Sequence, residues 1–135
     1  MPQLLRNIDQ IGRQKRRDVL VVEFHNYETG FRCDYRKNQA RKAILAALDA
    51  SGIGYEECAG YASETRQDSY RGQIYIDVPF NRADRKYLEV EALLENADGT
   101  MKFDTAWFVG YSLEHCMRNA HHDAPGFWER LMVDF

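Results

Sequence analysis

Arg71-Gly72-Gln73-Ile74-Tyr75-Ile76-Asp77-Val78-Pro79-Phe80 alternates from one end to the other. Ile74, Ile76, Val78 and Phe80 fall on one side, and Gln73, Tyr75 and Asp77 on the other. Successive strand side chains take opposite faces, so the stretch predicts a β-strand with one face in a core and a polar face holding a phenol and a carboxylate. The polar face is where a function is expected.

Working outward, Val19-Leu20-Val21-Val22-Glu23-Phe24-His25 is rich in β-branched residues. It predicts a strand with Leu20, Val22 and Phe24 on one face and Glu23 and His25 on the other. Before it, Leu4, Ile8 and Ile11 recur at helical spacing over residues 3–16, with Leu5 alongside. Residues 26–34 predict a loop. Residues 37–51 predict a helix with the stripe Ala40, Ile44, Leu45, Ala47 and Leu48, stopped by Gly52. A weaker strand is expected over 55–61 and a polar connection over 63–69. Asn81 is expected to cap a helix that carries Ala83, Tyr87, Val90, Leu94 and Ala97 on one face, with Asp84 adding favourable charge and Asp98-Gly99 ending it. Residues 105–111 predict a last, aromatic strand. Ser112 caps a further helix to about Ala120, and Pro125 opens another.

The order helix, β, α, β, β, α, β, then helix contains the six elements of a ferredoxin-like split βαββαβ domain with an antiparallel sheet. The expected fold is therefore one α+β domain over residues 1–135, with an additional N-terminal helix and one or two C-terminal helices. In that topology the first and third strands are antiparallel neighbours, and the additions either leave the polar sheet face open or cover it.

The chain has 135 residues, 44% of them hydrophobic and 13% aromatic, enough for one core and too few for two independent ones. No apolar run approaches the ~18–20 residues of a membrane span, and Met1-Pro2-Gln3-Leu4-Leu5-Arg6 does not read as a secretory leader, so a cytoplasmic location is expected. Cys33, Cys58 and Cys116 make an odd set without a Cys-x-x-Cys pair, and reduced, buried thiols are expected. Cys33 has basic neighbours, but its exposure is not legible from sequence. The net charge of −3 disfavours general attraction to polyanions.

The first candidate site is the polar sheet face: Glu23, His25, Gln73, Tyr75 and Asp77. Neighbouring antiparallel strands bring opposed side chains within ~5 Å, so these groups can gather round a small polar ligand. Acid/base chemistry would use His25, with Asp77 or Glu23 orienting its ring. A half-exposed sheet also carries polar residues with no ligand at all. Tyr75→Ala is expected to leave the fold near wild type while weakening whatever is bound.

Arg71, Gly72, Tyr75 and Ile76 resemble in place the ribonucleoprotein octamer of RNA-recognition motifs, with Gln73 and Val78 where stacking aromatics belong. The resemblance covers about one strand. It implies single-stranded nucleic-acid binding by Tyr75, with Arg13, Lys15, Arg16, Arg17 and Arg71 as phosphate contacts.

His121, His122 and Asp123 are transition-metal ligand types. His115 lies seven residues before His122, or ~10 Å along a continuous helix, too far to share one ion. A break near Ala120 would be needed to gather the later three. Phe127, Trp128, Leu131 and Phe135 form an apolar stripe that either packs on the domain or meets a partner, a second copy of the chain included. Phosphate-loop, dinucleotide, zinc-protease and nucleophile-elbow motifs are absent, so no resident cofactor is expected, and binding is favoured over catalysis. The expected partner is an unidentified protein or small molecule.

Overall fold

A computed structural model describes residues 5–25, 35–65 and 70–133. Leu4, the 26–34 loop with Cys33, and Phe135 lie outside the described residues.

Helix α1 (Ile8–Lys15) buries Ile8, Ile11 and Gly12 and ends at Arg16, whose left-handed backbone (φ 54°) closes the last turn. Strand β1 (Val19–Phe24) follows, then a short 3-10 turn and helix α2 (Gln39–Ala50). Asn38 caps α2 by accepting from the Arg41 N–H, and Ile44 and Leu48 are its buried positions. Strands β2 (Tyr55–Glu57) and β3 (Ile74–Ile76) are shorter than expected. Helix α3 (Arg85–Leu94) buries Tyr87, Val90 and Leu94 on one face, as their spacing predicts, but it is shorter than expected, and Ala83 and Ala97 lie outside it. Its cap is Asp84, which accepts from the Tyr87 N–H, while Asn81 closes a local turn on the Ala83 N–H. Strand β4 (Ala106–Tyr111), helix α4 (Leu113–Met117, capped by Ser112), a 3-10 turn over Ala120–Asp123 and helix α5 (Phe127–Val133) complete the chain. Among the described residues, no helix is long and apolar enough to cross a membrane.

The four strands form one antiparallel sheet in the order β2-β3-β1-β4. Leu20 pairs with Ile76 and Val22 with Ile74, so the first and third strands are neighbours and their apolar sides coincide. That side packs on α2 and α3: Leu20, Val22, Phe24, Ile44, Leu48, Ile74, Ile76, Val90 and Leu94 form the larger core. Regular pairing of β3 stops at Ile76, because the Val78 N–H turns back to the Ile76 carbonyl. Val78 remains buried. Phe80, expected inside, is 47% exposed and lies edge-on against Tyr87.

The opposite sheet face is not a bare polar surface. Ile8 and Ile11 of α1 and Cys116 of α4 pack on Val19, Val21, Cys58 and Tyr75 to make a second, smaller core. α1 reaches α4 closely because of Gly12: a Cβ there would stand 2.5 Å from Cys116 Sγ and 3.0 Å from Val19 Cγ2. Gly12→Val is therefore expected to lose about 2–3 kcal/mol to overpacking, seen as a lower urea midpoint at unchanged slope.

Candidate ligand cleft on the second sheet face

The strand register sorts the predicted polar residues into two groups. With Leu20 beside Ile76 and Val22 beside Ile74, Asp77 lies near the start of β1 and His25 beyond its end. Six residues of strand separate Val19 from His25, about 20 Å, so Asp77 does not orient the imidazole. The expected His25–Asp77 pairing is corrected on this ground.

At the Asp77 end α1 seals Tyr75, while the Asp77 side chain, 44% exposed, stands at the rim. Tyr75 is 1% exposed. Its hydroxyl donates to Asp77 Oδ1 (3.0 Å) and accepts from Arg17 Nη2 (2.8 Å). Lys15 stands 3.6 Å from the same carboxylate. Burial opposes ionisation of Asp77, yet the Tyr75 hydroxyl and the cations of Lys15 and Arg17 hold its carboxyl below the usual range. Burial raises the Tyr75 phenol above its ordinary value.

At the other end a cleft of about 220 Å³ remains, bordered by Glu23, His25, Gln73 and Arg71 and by Tyr61 and Tyr111. Glu23 and His25 enter it from the last turns of β1's alternation, and Gln73 from the start of β3. Tyr111 donates to Glu23 Oε1 at 2.9 Å, and burial together with that carboxylate raises its phenol pKa strongly. The Gln73 side-chain oxygen accepts from the Arg71 N–H (3.1 Å), which ties the strand entrance. Burial lowers the His25 pKa, against the pull of Glu23. His25 also lies against the ring of Trp107.

Trp107 was not among the sequence candidates. It pairs with Glu23 across β1 and β4, so both side chains share this face, and it is 48% exposed. Its alternation with Val109 and Tyr111 is visible in sequence, but the β1–β4 register that brings it to Glu23 is not.

The residues singled out for nucleic acid do not gather on one surface. Tyr75 lies under α1, where a base cannot stack on its ring. Arg13, expected as a phosphate contact, faces inward: Nη1 donates to Asp9 Oδ2 (2.8 Å), and Nε and Nη2 donate to Asp123 Oδ2 and Oδ1 (2.8 and 2.9 Å). The hydrogen bonds to Asp123, opposed by burial, raise its pKa. Arg17 is engaged with Tyr75 and Asp77. Arg16 is exposed, and Arg71 lies at the opposite end of the face from Lys15.

Asp123 is thus turned away from the two histidines it was grouped with, because Arg13 holds both its oxygens. Glu64 takes that place: its Oε1 lies 2.7 Å from His121 Nε2 and 3.1 Å from His122 Nε2. Phe127 and Trp128 pack their rings on His122, with centroids 5.0 and 4.6 Å away, so the aromatic stripe meets its own chain at least there. Trp128 is still 38% exposed and Leu131 partly so. Cys58 and Cys116 are buried, and burial pushes their thiols up to about 12 and about 11.

Comparison with protein-family models, with curated proteins and with solved structures finds no match to this chain.

Proposed function

We propose that the chain is a small cytosolic binding module on a ferredoxin-like split βαββαβ scaffold, taking a small polar ligand at the Glu23–His25 end of the sheet. The strand order, written from the other edge as β4-β1-β3-β2 with all neighbours antiparallel, supports the scaffold. The observation that carries the function is the cleft itself, which remains where the terminal helices stop covering the face.

Its chemistry narrows the ligand. Glu23 and Arg71 supply opposite charges, and Tyr61 and Tyr111 supply aromatic walls. Drug-sized ligands occupy ~300–1,000 Å³, so about 220 Å³ suits something smaller, such as a zwitterion of amino-acid size. Catalysis is not part of the reading, since Glu23 is engaged by Tyr111 and Asp77 lies at the far end.

The test is an NMR titration of labelled protein with a panel of free amino acids. Saturable shifts are expected at the amides of Glu23, Gln73 and Arg71, and Glu23→Gln should weaken the best binder at least about fivefold, ~1 kcal/mol for a charge-assisted contact. Shifts confined to α5, or equal affinity for the variant, would remove the cleft from the account.

A further inference from the structure

The cluster of Glu64, His121 and His122 lies apart from the cleft and joins segments far apart in sequence. It is built rather than incidental. Asp9, fully buried on α1, accepts from the Ala62 N–H through Oδ1 (2.7 Å), and Asn119 Nδ2 donates to the Ala62 carbonyl (3.3 Å). Tyr61 donates to the His115 carbonyl (3.0 Å). These bonds fix residues 61 and 62 against α4 and the turn after it, and so bring Glu64 to the histidines.

Glu64, His121 and His122 each offer one ligand atom within 4.8 Å of the others, and Glu64 Oε1 lies 2.7 and 3.1 Å from the two Nε2 atoms. Bonds of about 2.0–2.1 Å to a tetrahedral zinc ion separate neighbouring ligand atoms by about 3.3 Å, so the 2.7 and 3.1 Å contacts open by about 0.6 and about 0.2 Å, and the two imidazoles settle to the same spacing. Glu64 and His121 are about half exposed and free to make that shift.

His122 carries the independent observation. Its side chain is 2% exposed, and its buried Nδ1 has no hydrogen-bond partner among the described residues. Asp9 Oδ2 stands 4.0 Å from that nitrogen. A carboxylate behind the distal nitrogen of a ligating histidine is the usual means of fixing the ring's tautomer and raising its basicity.

We propose that Glu64, His121 and His122 bind one divalent transition-metal ion of the zinc class, with Asp9 as the positioning residue behind His122. Two imidazoles and a carboxylate select zinc or cobalt over magnesium or calcium, which take mainly oxygen ligands. Three protein ligands leave a coordination position for water. The site is independent of Asp123, which Arg13 retains.

The test uses tag-free, chelator-stripped full chain. Calorimetry with zinc chloride is expected to give one saturable equivalent, cobalt(II) to give a tetrahedral visible spectrum, and magnesium to give neither. Glu64→Gln and His121→Ala change exposed side chains, and circular dichroism verifies their folding. Each should weaken zinc at least about tenfold, since even supporting residues of metal sites are worth 10–100-fold. Asp123→Asn should leave zinc affinity unchanged. Absence of saturable zinc binding means an ion-paired cluster only and overturns the proposal. Full affinity in both ligand variants, or a loss confined to Asp123→Asn, places the ion elsewhere and overturns it equally.

Discussion

Tyr75→Ala is expected to destabilise the protein by about 3–5 kcal/mol, the cost of removing a large buried ring from a packed site. Tyr75 is among the largest fully buried side chains and sits between Val21 on its neighbouring strand and Ile8 and Ile11 of α1. Its loss leaves a cavity beneath α1 and deprives Asp77 of a hydrogen-bond donor. Tyr75→Phe keeps the ring and removes only the hydroxyl, so it should cost about 1 kcal/mol. Urea unfolding of both variants checks the pair. The sequence expectation that Tyr75→Ala spares the fold is reversed for one reason: the terminal helix covers this half of the face.

Arg13→Met should be about as damaging, at about 3–5 kcal/mol, because it leaves a buried carboxylate without its countercharge. Asp9 is fully buried, with the Arg13 guanidinium 2.8 Å away. Without it, the Ala62 N–H and the Asn119 amide still donate to Asp9, but no cation remains hydrogen-bonded to it. The same guanidinium also bonds the Cys116 carbonyl and Asp123, so its removal loosens the junction of α1 with the C-terminal elements. Asp123→Asn touches the half-exposed partner and should cost on the order of 1 kcal/mol or less. Adding Asp9→Asn to Arg13→Met should recover part of the loss, since it neutralises the stranded charge. A loss below about 1 kcal/mol for Arg13→Met would show that the network contributes little.

The strand alternation around Ile74 and Ile76 was legible because one face meets α2 and α3, and the periodicities of Ile44 and Leu48 and of Tyr87, Val90 and Leu94 reveal the helices that cover it. Adjacency of β1 and β3 follows from the order of elements. What covers the second face was not legible: Ile8 and Ile11 form a visible stripe, but a stripe does not say which surface it seals. Register was also hidden. No hairpin links β1 to β3, so nothing in the intervening chain says whether His25 falls beside Asp77 or at the opposite end from it. Arg13 read as a phosphate contact because its Asp9 partner, although at helical spacing, mattered only once Asp123 closed the other side. Glu64 carries no sequence signal toward His121, 57 residues away, and the contact arises from the loop that Asp9 and Asn119 anchor.

The division of one sheet face into a sealed half and an accessible half underlies the whole functional reading. A soluble paramagnetic probe tests it directly through side-chain proton relaxation of Tyr75 and Trp107, aromatic rings on the same face with β1 between their strands. Strong broadening of the Trp107 indole with the Tyr75 ring protected is the predicted result. Equal broadening of the two rings would contradict it.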